Sequence, residues 1–307
     1  MKNLSDLNPL LDCRLRIARL AALIAGLALL AGVGPISSAE TKVGELLTQA
    51  RAAYQNGNQA EALALVSQAI EIDPKNERAY FLRASLHEAS QRHEKAIADF
   101  DQFLKLNPRV TEAWQRRGTE HFKLGHFGQS IADFDKVIEL APQQGPQHWQ
   151  RGIACYYAGR FADGRRQFES HQSVNPNDVE NAVWHFLCVA RLSGVDQARA
   201  ALIPIQGDGR VPMMEVHALF AGQAKPEDVL AAARAGQPSS SELHQRLFFA
   251  HLYLGLYYEA IGDEKLTREH IFKSAEEFKS DHYMGDVARV HAEVLRRPAT
   301  HRKPVVK

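Results

Sequence analysis

The sequence predicts an all-α fold, a solenoid of helix-turn-helix units with an irregular helical insertion and a C-terminal capping helix. Three observations predict it. Pro74, Pro108, Pro142 and Pro176 fall 34 residues apart, and self-similarity at that period marks a stacked two-helix repeat. With each proline set at position 32 of its repeat, position 8 reads Ala50, Ala84, Gly118 and Gly152, and position 20 reads Ala62, Ala96, Ser130 and Gly164. Large side chains stand at position 24 (Val66, Phe100, Phe134, Phe168) and position 4 (Leu46, Tyr80, Trp114, His148). Two antiparallel helices approach closely only where the crossing point is small and its surroundings fill the gaps.

The middle repeats nearly copy each other, with Ile97-Ala98-Asp99-Phe100-Asp101 returning as Ile131-Ala132-Asp133-Phe134-Asp135. On these residues the chain resembles the tetratricopeptide repeat (TPR) family. The resemblance implies a scaffold that holds protein or peptide ligands, because this fold serves many unrelated partners.

From the N-terminus, Lys2, Arg14, Arg16 and Arg19 precede an apolar run from Leu20 to Val33, then Pro35 and Ser37-Ser38-Ala39. Residues 1–39 read as an export signal cleaved after Ala39, with periplasm or cell envelope as the destination. The run falls short of the roughly 20 residues that span a bilayer, so membrane association is expected only through an uncleaved segment. Cys13 precedes the run, whereas a lipidation cysteine follows it, so a lipid anchor is not supported.

Removing residues 1–39 takes away four basic and two acidic residues, which moves the formal charge from +1 to about −1. That balance does not call for nucleic acid. Composition, at 45% hydrophobic and 24% charged, fits a helical protein. Cys155 and Cys188 fall on first helices of neighbouring repeats, where burial as small apolar residues and a disulfide are both open.

Residues 40–193 hold four repeats and a degenerate fifth. Asn58 with Glu61 predicts a capping box, and Gly57, Gly125 and Gly159 recur in the inter-helix turn. Val179 to Leu192, capped by Asp178, begins the fifth repeat, but Phe186 stands where the others carry Ala or Gly. Residues 194–241 lose the period. Two short helices are predicted there, one opening at Pro212 and closing before Gly222, the other between Pro226 and Gly236.

Residues 242–297 return to the repeat, with Tyr253 to Tyr258 then Gly262-Asp263 as helix and turn, Leu266 to Phe278 as the second helix, and Met284 to Arg296 as a final amphipathic helix over the stack's end. Residues 298–307 form a basic tail. The export signal, irregular middle and late Tyr-Leu-Gly-Leu-Tyr-Tyr segment resemble NlpI-type bacterial envelope proteins. This implies an adaptor that gathers peptidoglycan hydrolases or a protease, and a homodimer.

Catalysis finds little support. His87 and His121 share position 11, but equivalent sites on stacked helices lie about 8–10 Å apart, too far for one metal. Asp99 with Asp101, and Asp133 with Asp135, recur at the repeat period and read as surface and turn-packing residues. No nucleophile elbow, P-loop or dinucleotide fingerprint occurs, so neither enzyme nor cofactor is expected.

The candidate site is the concave groove, onto which first helices turn positions 5, 9 and 12. These are Leu47, Arg51 and Tyr54; Phe81, Ser85 and Glu88; Gln115, Thr119 and Phe122; and Trp149, Ile153 and Tyr156, with Tyr157 beside them. Clustered aromatics and arginine suit a protein ligand, while Arg51 and Ser85 stand where a carboxylate clamp needs Asn. Packing of Trp149 and Tyr156 against the next repeat, or against the irregular segment folding back into the groove, is equally open. Alternatives are a chaperone-like assembly or secretion factor and, from another class, an envelope enzyme with its site in 194–241.

Overall fold

The computed structural model describes residues 38–297, so nearly all of the segment expected to be an export signal, and the basic residues at 298–307, lie outside the described residues. Four hairpins follow in order: α1 (Ser38–Gln55) with α2 (Gln59–Ile72), α3 (Glu77–Ala89) with α4 (His93–Leu106), α5 (Thr111–Lys123) with α6 (Phe127–Leu140), and α7 (Trp149–Tyr157) with α8 (Phe161–His171). The small residues sit at the crossings. A Cβ on Gly118 would stand 2.8 Å from the Phe134 ring, and one on Gly152 would stand 2.6 Å from Phe168, so position 8 seats against position 24. Ala96 and Ser130 are fully buried.

Local chemistry sets where each helix ends. Gly57, Gly125 and Gly159 turn with φ between 73° and 82°, while repeat two accepts φ 56° at Gln91. The capping box expected at Asn58 does not form, because the Asn58 amide turns to Glu61 (3.3 Å) and leaves the helix N–H groups uncapped by a side chain. Each early proline also anchors the next repeat. Tyr80 donates to the Pro74 carbonyl at 3.2 Å, and the Trp114 indole donates to that of Pro108 at 2.8 Å.

The acidic pairs correct a second expectation. Asp99 and Asp133 are buried, at 4% and 3% exposure, rather than lying on the surface. Arg117 explains both members of the motif, since it grips Asp133 of its own hairpin and Asp101 of the preceding one. A buried carboxylate is tolerated when a guanidinium meets it with two hydrogen bonds.

Beyond the repeats come α9 (Val179–Ser193), α10 (Val195–Ala200), α11 (Met213–Phe220), α12 (Pro226–Arg234), α13 (Ser240–Ile261), α14 (Glu264–Phe272) with a π turn at Lys273–Glu277, and α15 (Tyr283–Arg296). Asp178 caps α9 by accepting from the Glu180 N–H. Phe186 is fully buried and meets Phe220 of α11 edge-on at 5.0 Å, so a bulky ring at the crossing site seats a helix of the connector. In the late hairpin the small-to-large contact returns, with Gly255 facing Ile271.

Cys155 and Cys188 are buried free thiols on either side of Gly164, and burial pushes the Cys155 thiol up to about 11. One core cluster runs from Phe122 to Leu295, while two smaller ones serve Val43–Leu86 and Ala84–Ala113. Among the described residues no helix is long and apolar enough to cross a membrane.

Candidate protein-binding groove

The first helix of each hairpin carries the residues expected to line the groove, and these divide into an open half and a closed half. In the open half, Tyr54 is 41% exposed and Arg51 half-buried, with Leu47 buried beneath them. Phe81 lies half-buried against Phe103 at 5.0 Å, and the Arg116 guanidinium covers its ring at 4.8 Å. Arg116 then donates to the Ser85 hydroxyl at 2.8 Å and pairs with Glu88. Burial raises the Glu88 carboxyl above its ordinary value, and Arg116 opposes that shift. Gln115 bridges to Gln150 at 2.9 Å, and the Thr119 hydroxyl turns back to the Gln115 carbonyl.

Two arginines mark the first end of this open half. Burial and then the neighbouring charge of Arg78 lower the Arg51 pKa, and neither residue has a carboxylate partner among the described residues. Arg78 and Arg116 were missed in the sequence because they stand at positions 2 and 6, beside the stripe. Their signal was adjacency to it across one helical turn.

In the closed half the aromatics are packed rather than open, the second of the two readings the sequence leaves for them. Phe122, Ile153 and Tyr156 are buried at 0%, 1% and 4%, and Trp149 and Tyr157 are half-buried. Tyr283, the first residue of α15, stacks on Phe122 at 5.4 Å and takes the edge of Trp149 at 5.0 Å. The Tyr157 hydroxyl is 2.9 Å from His291 Nδ1 on the same helix, and Tyr156 donates to Glu259 of α13 at 2.9 Å. Burial, then the Glu259 charge, pushes both phenols well above their ordinary value.

The cause is area. An amphipathic helix with Tyr283, Val287 and Val290 to bury meets an aromatic stripe with nothing over it, and both lose water contact together. Thus α15 closes the stack against α14 and also fills the groove of repeats three and four.

The connector named as a rival site is occupied by its own charges. Arg210 pairs with Asp178 at 2.7 Å and Asp208 at 2.5 Å, and with Glu180, beside an open cavity of about 280 Å³. These contacts tie residues 207–210 to the start of α9. Among the described residues, no three His, Cys, Asp or Glu side chains converge as a metal site requires.

Residues 47–114 and 111–144 each match a family model described as a tetratricopeptide repeat. No curated protein matches the chain. Among solved structures, it resembles a tetratricopeptide repeat protein from Parabacteroides merdae at 13% identity and TM-score 0.55, over 84% of this chain and 100% of that one. A crystal structure of MamA protein aligns at 13% identity and TM-score 0.50, over 64% of this chain and 98% of the other. The first TPR of Spaghetti (RPAP3), bound to an HSP90 peptide, aligns at 26% identity and TM-score 0.32, over 36% of this chain and 86% of that one.

Proposed function

We propose that this chain, whose residues 47–114 and 111–144 match tetratricopeptide-repeat models, is a non-enzymatic adaptor holding a partner protein in the open half of its concave groove. One observation carries the reading. The far half of the same groove already holds an amphipathic helix of the chain itself, docked through Tyr283, while Arg51, Tyr54 and Phe81 of the near half keep accessible surface. A surface that buries one helix on its aromatic stripe is suited to a second segment on the remaining stripe.

Unpartnered Arg51 and Arg78 favour a segment carrying acidic side chains, which gain both charge pairing and a planar donor edge. The export-signal pattern of residues 1–39 supports action in a bacterial envelope, and the resemblance to NlpI-type proteins implies hydrolases or a protease as the partner class and a homodimer as the assembly. Capture from envelope extract tests the reading. The double variant Arg78→Glu, Tyr54→Ala should lose the partner caught by the wild type while its thermal unfolding stays within about 1 °C, since both side chains are exposed. Undiminished capture would reject the groove, and a mature chain that still begins at Met1 would reject export with cleavage.

A further inference from the structure

Position 7 holds an arginine in three successive repeats: Arg83, Arg117 and Arg151. Arg83 clasps Asp99 through Nε at 2.9 Å and Nη2 at 2.7 Å, and its Nη1 reaches Ser67 at 3.3 Å. Arg117 does the same with Asp133 at 2.9 and 2.6 Å, its Nη1 donating to Asp101 at 2.6 Å. In both, a carboxylate from position 23 fills the Nε–Nη2 edge.

Repeat four breaks the series. Its position 23 is Gln167, which donates instead to the Gly145 carbonyl at 2.7 Å. Arg151 turns Nε to Asp135 at 2.5 Å, and its two terminal nitrogens have no partner among the described residues, although the side chain is only 18% exposed. Where the earlier repeats make a short turn, Pro142–Gln147 winds as a 3₁₀ helix. Beside it lies an open cavity of about 350 Å³, lined by Arg151, Arg166, Gln167 and Ser170.

We propose that this cavity is an oxyanion site, taking a carboxylate or phosphate group on the terminal nitrogens of Arg151. The ligand stands in for the aspartate that the sister repeats supply from within. A guanidinium edge matches two oxygens of such a group, and a mostly desolvated arginine with two idle donors gains by the match. The cavity wall also carries Ser170, a hydroxyl donor, and Arg166, which is itself paired with Asp163, while Asp135 is the one carboxylate lining it. The site is separate from the groove, so it stands or falls independently of the adaptor reading.

Thermal unfolding of the full chain in sodium acetate and in sodium phosphate, each against sodium chloride at matched ionic strength, tests it. The wild type should show a saturable rise of about 3 °C in one of the two, which identifies the oxyanion. Gln167→Asp, which restores the internal carboxylate, should unfold higher without added anion and lose the rise. Arg151→Gln should lose it too, and decides the matter if circular dichroism shows Gln167→Asp to be misfolded. No saturable rise in the wild type, or an equal rise in Arg151→Gln, would overturn the site.

Discussion

Gly118 and Gly128 stand ten residues apart in one hairpin and do opposite things. A Cβ at Gly118 would meet the Phe134 ring at 2.8 Å and Asp133 at 3.1 Å, whereas one at Gly128, inside α6, meets nothing within 4 Å. Gly118→Leu should therefore lower the unfolding free energy by about 1–3 kcal/mol through overpacking. Gly128→Ala should raise it by about 0.5–1 kcal/mol, because glycine loses more backbone freedom in a helix. Urea titration of both variants checks the sign, and equal effects would mean that position 8 is not a crossing point. The contact partner of Gly118 was legible as a repeat position. That its neighbour Arg117 grips two aspartates from different hairpins was not, since the pairing crosses 16 residues in each direction.

At the scale of elements, α13 and α14 are joined by buried histidines. His251 Nδ1 lies 2.8 Å from His270 Nδ1, Phe278 stacks on His251 at 5.2 Å, and Tyr258 stacks on His270 at 5.4 Å. Two facing Nδ1 atoms share one proton, so the pair holds together while both rings are neutral. Burial, then His270, lowers the His251 pKa to about 3, with Lys273 and Arg234 acting in the same direction and Glu269 against them.

Between that value and 6.5 the unfolded chain binds the proton that the folded chain refuses. This contribution is complete above pH 6.5 and is lost as the pH falls toward 3. The urea midpoint of the wild type should drop from pH 7 to pH 5. His251→Phe should show a smaller drop, even though losing the partner of His270 lowers its midpoint at pH 7. An identical drop would place the acid sensitivity elsewhere.

Across the whole molecule, repeats one and two have small separate cores, while Phe122 to Leu295 form one cluster closed by α15. A solenoid contributes stability through neighbouring units, so a unit bound on one side opens first. Hydrogen exchange should be faster in 43–113 than in 122–157 and 247–295. Uniform protection would show that the closure over repeats three and four adds nothing. Faster exchange there would put the open half of the groove in the part of the chain that opens first, a property suited to a partner that orders what it binds.

The sequence by itself determined the helical hairpins, their 34-residue period and the small-to-large contact at each crossing, because these follow from spacing along a single chain. It also led to the expectation of a groove through Arg51, Tyr54 and Phe81, all of which keep accessible surface. Only the tertiary structure decided that Trp149, Ile153 and Tyr156 are covered and that Asp99 and Asp133 are buried. An aromatic stripe looks the same in a sequence whether a partner or the chain's own last helix lies over it. The choice depends on which surface comes within reach when α13 and α14 bring Tyr283 back to Phe122, more than 150 residues away.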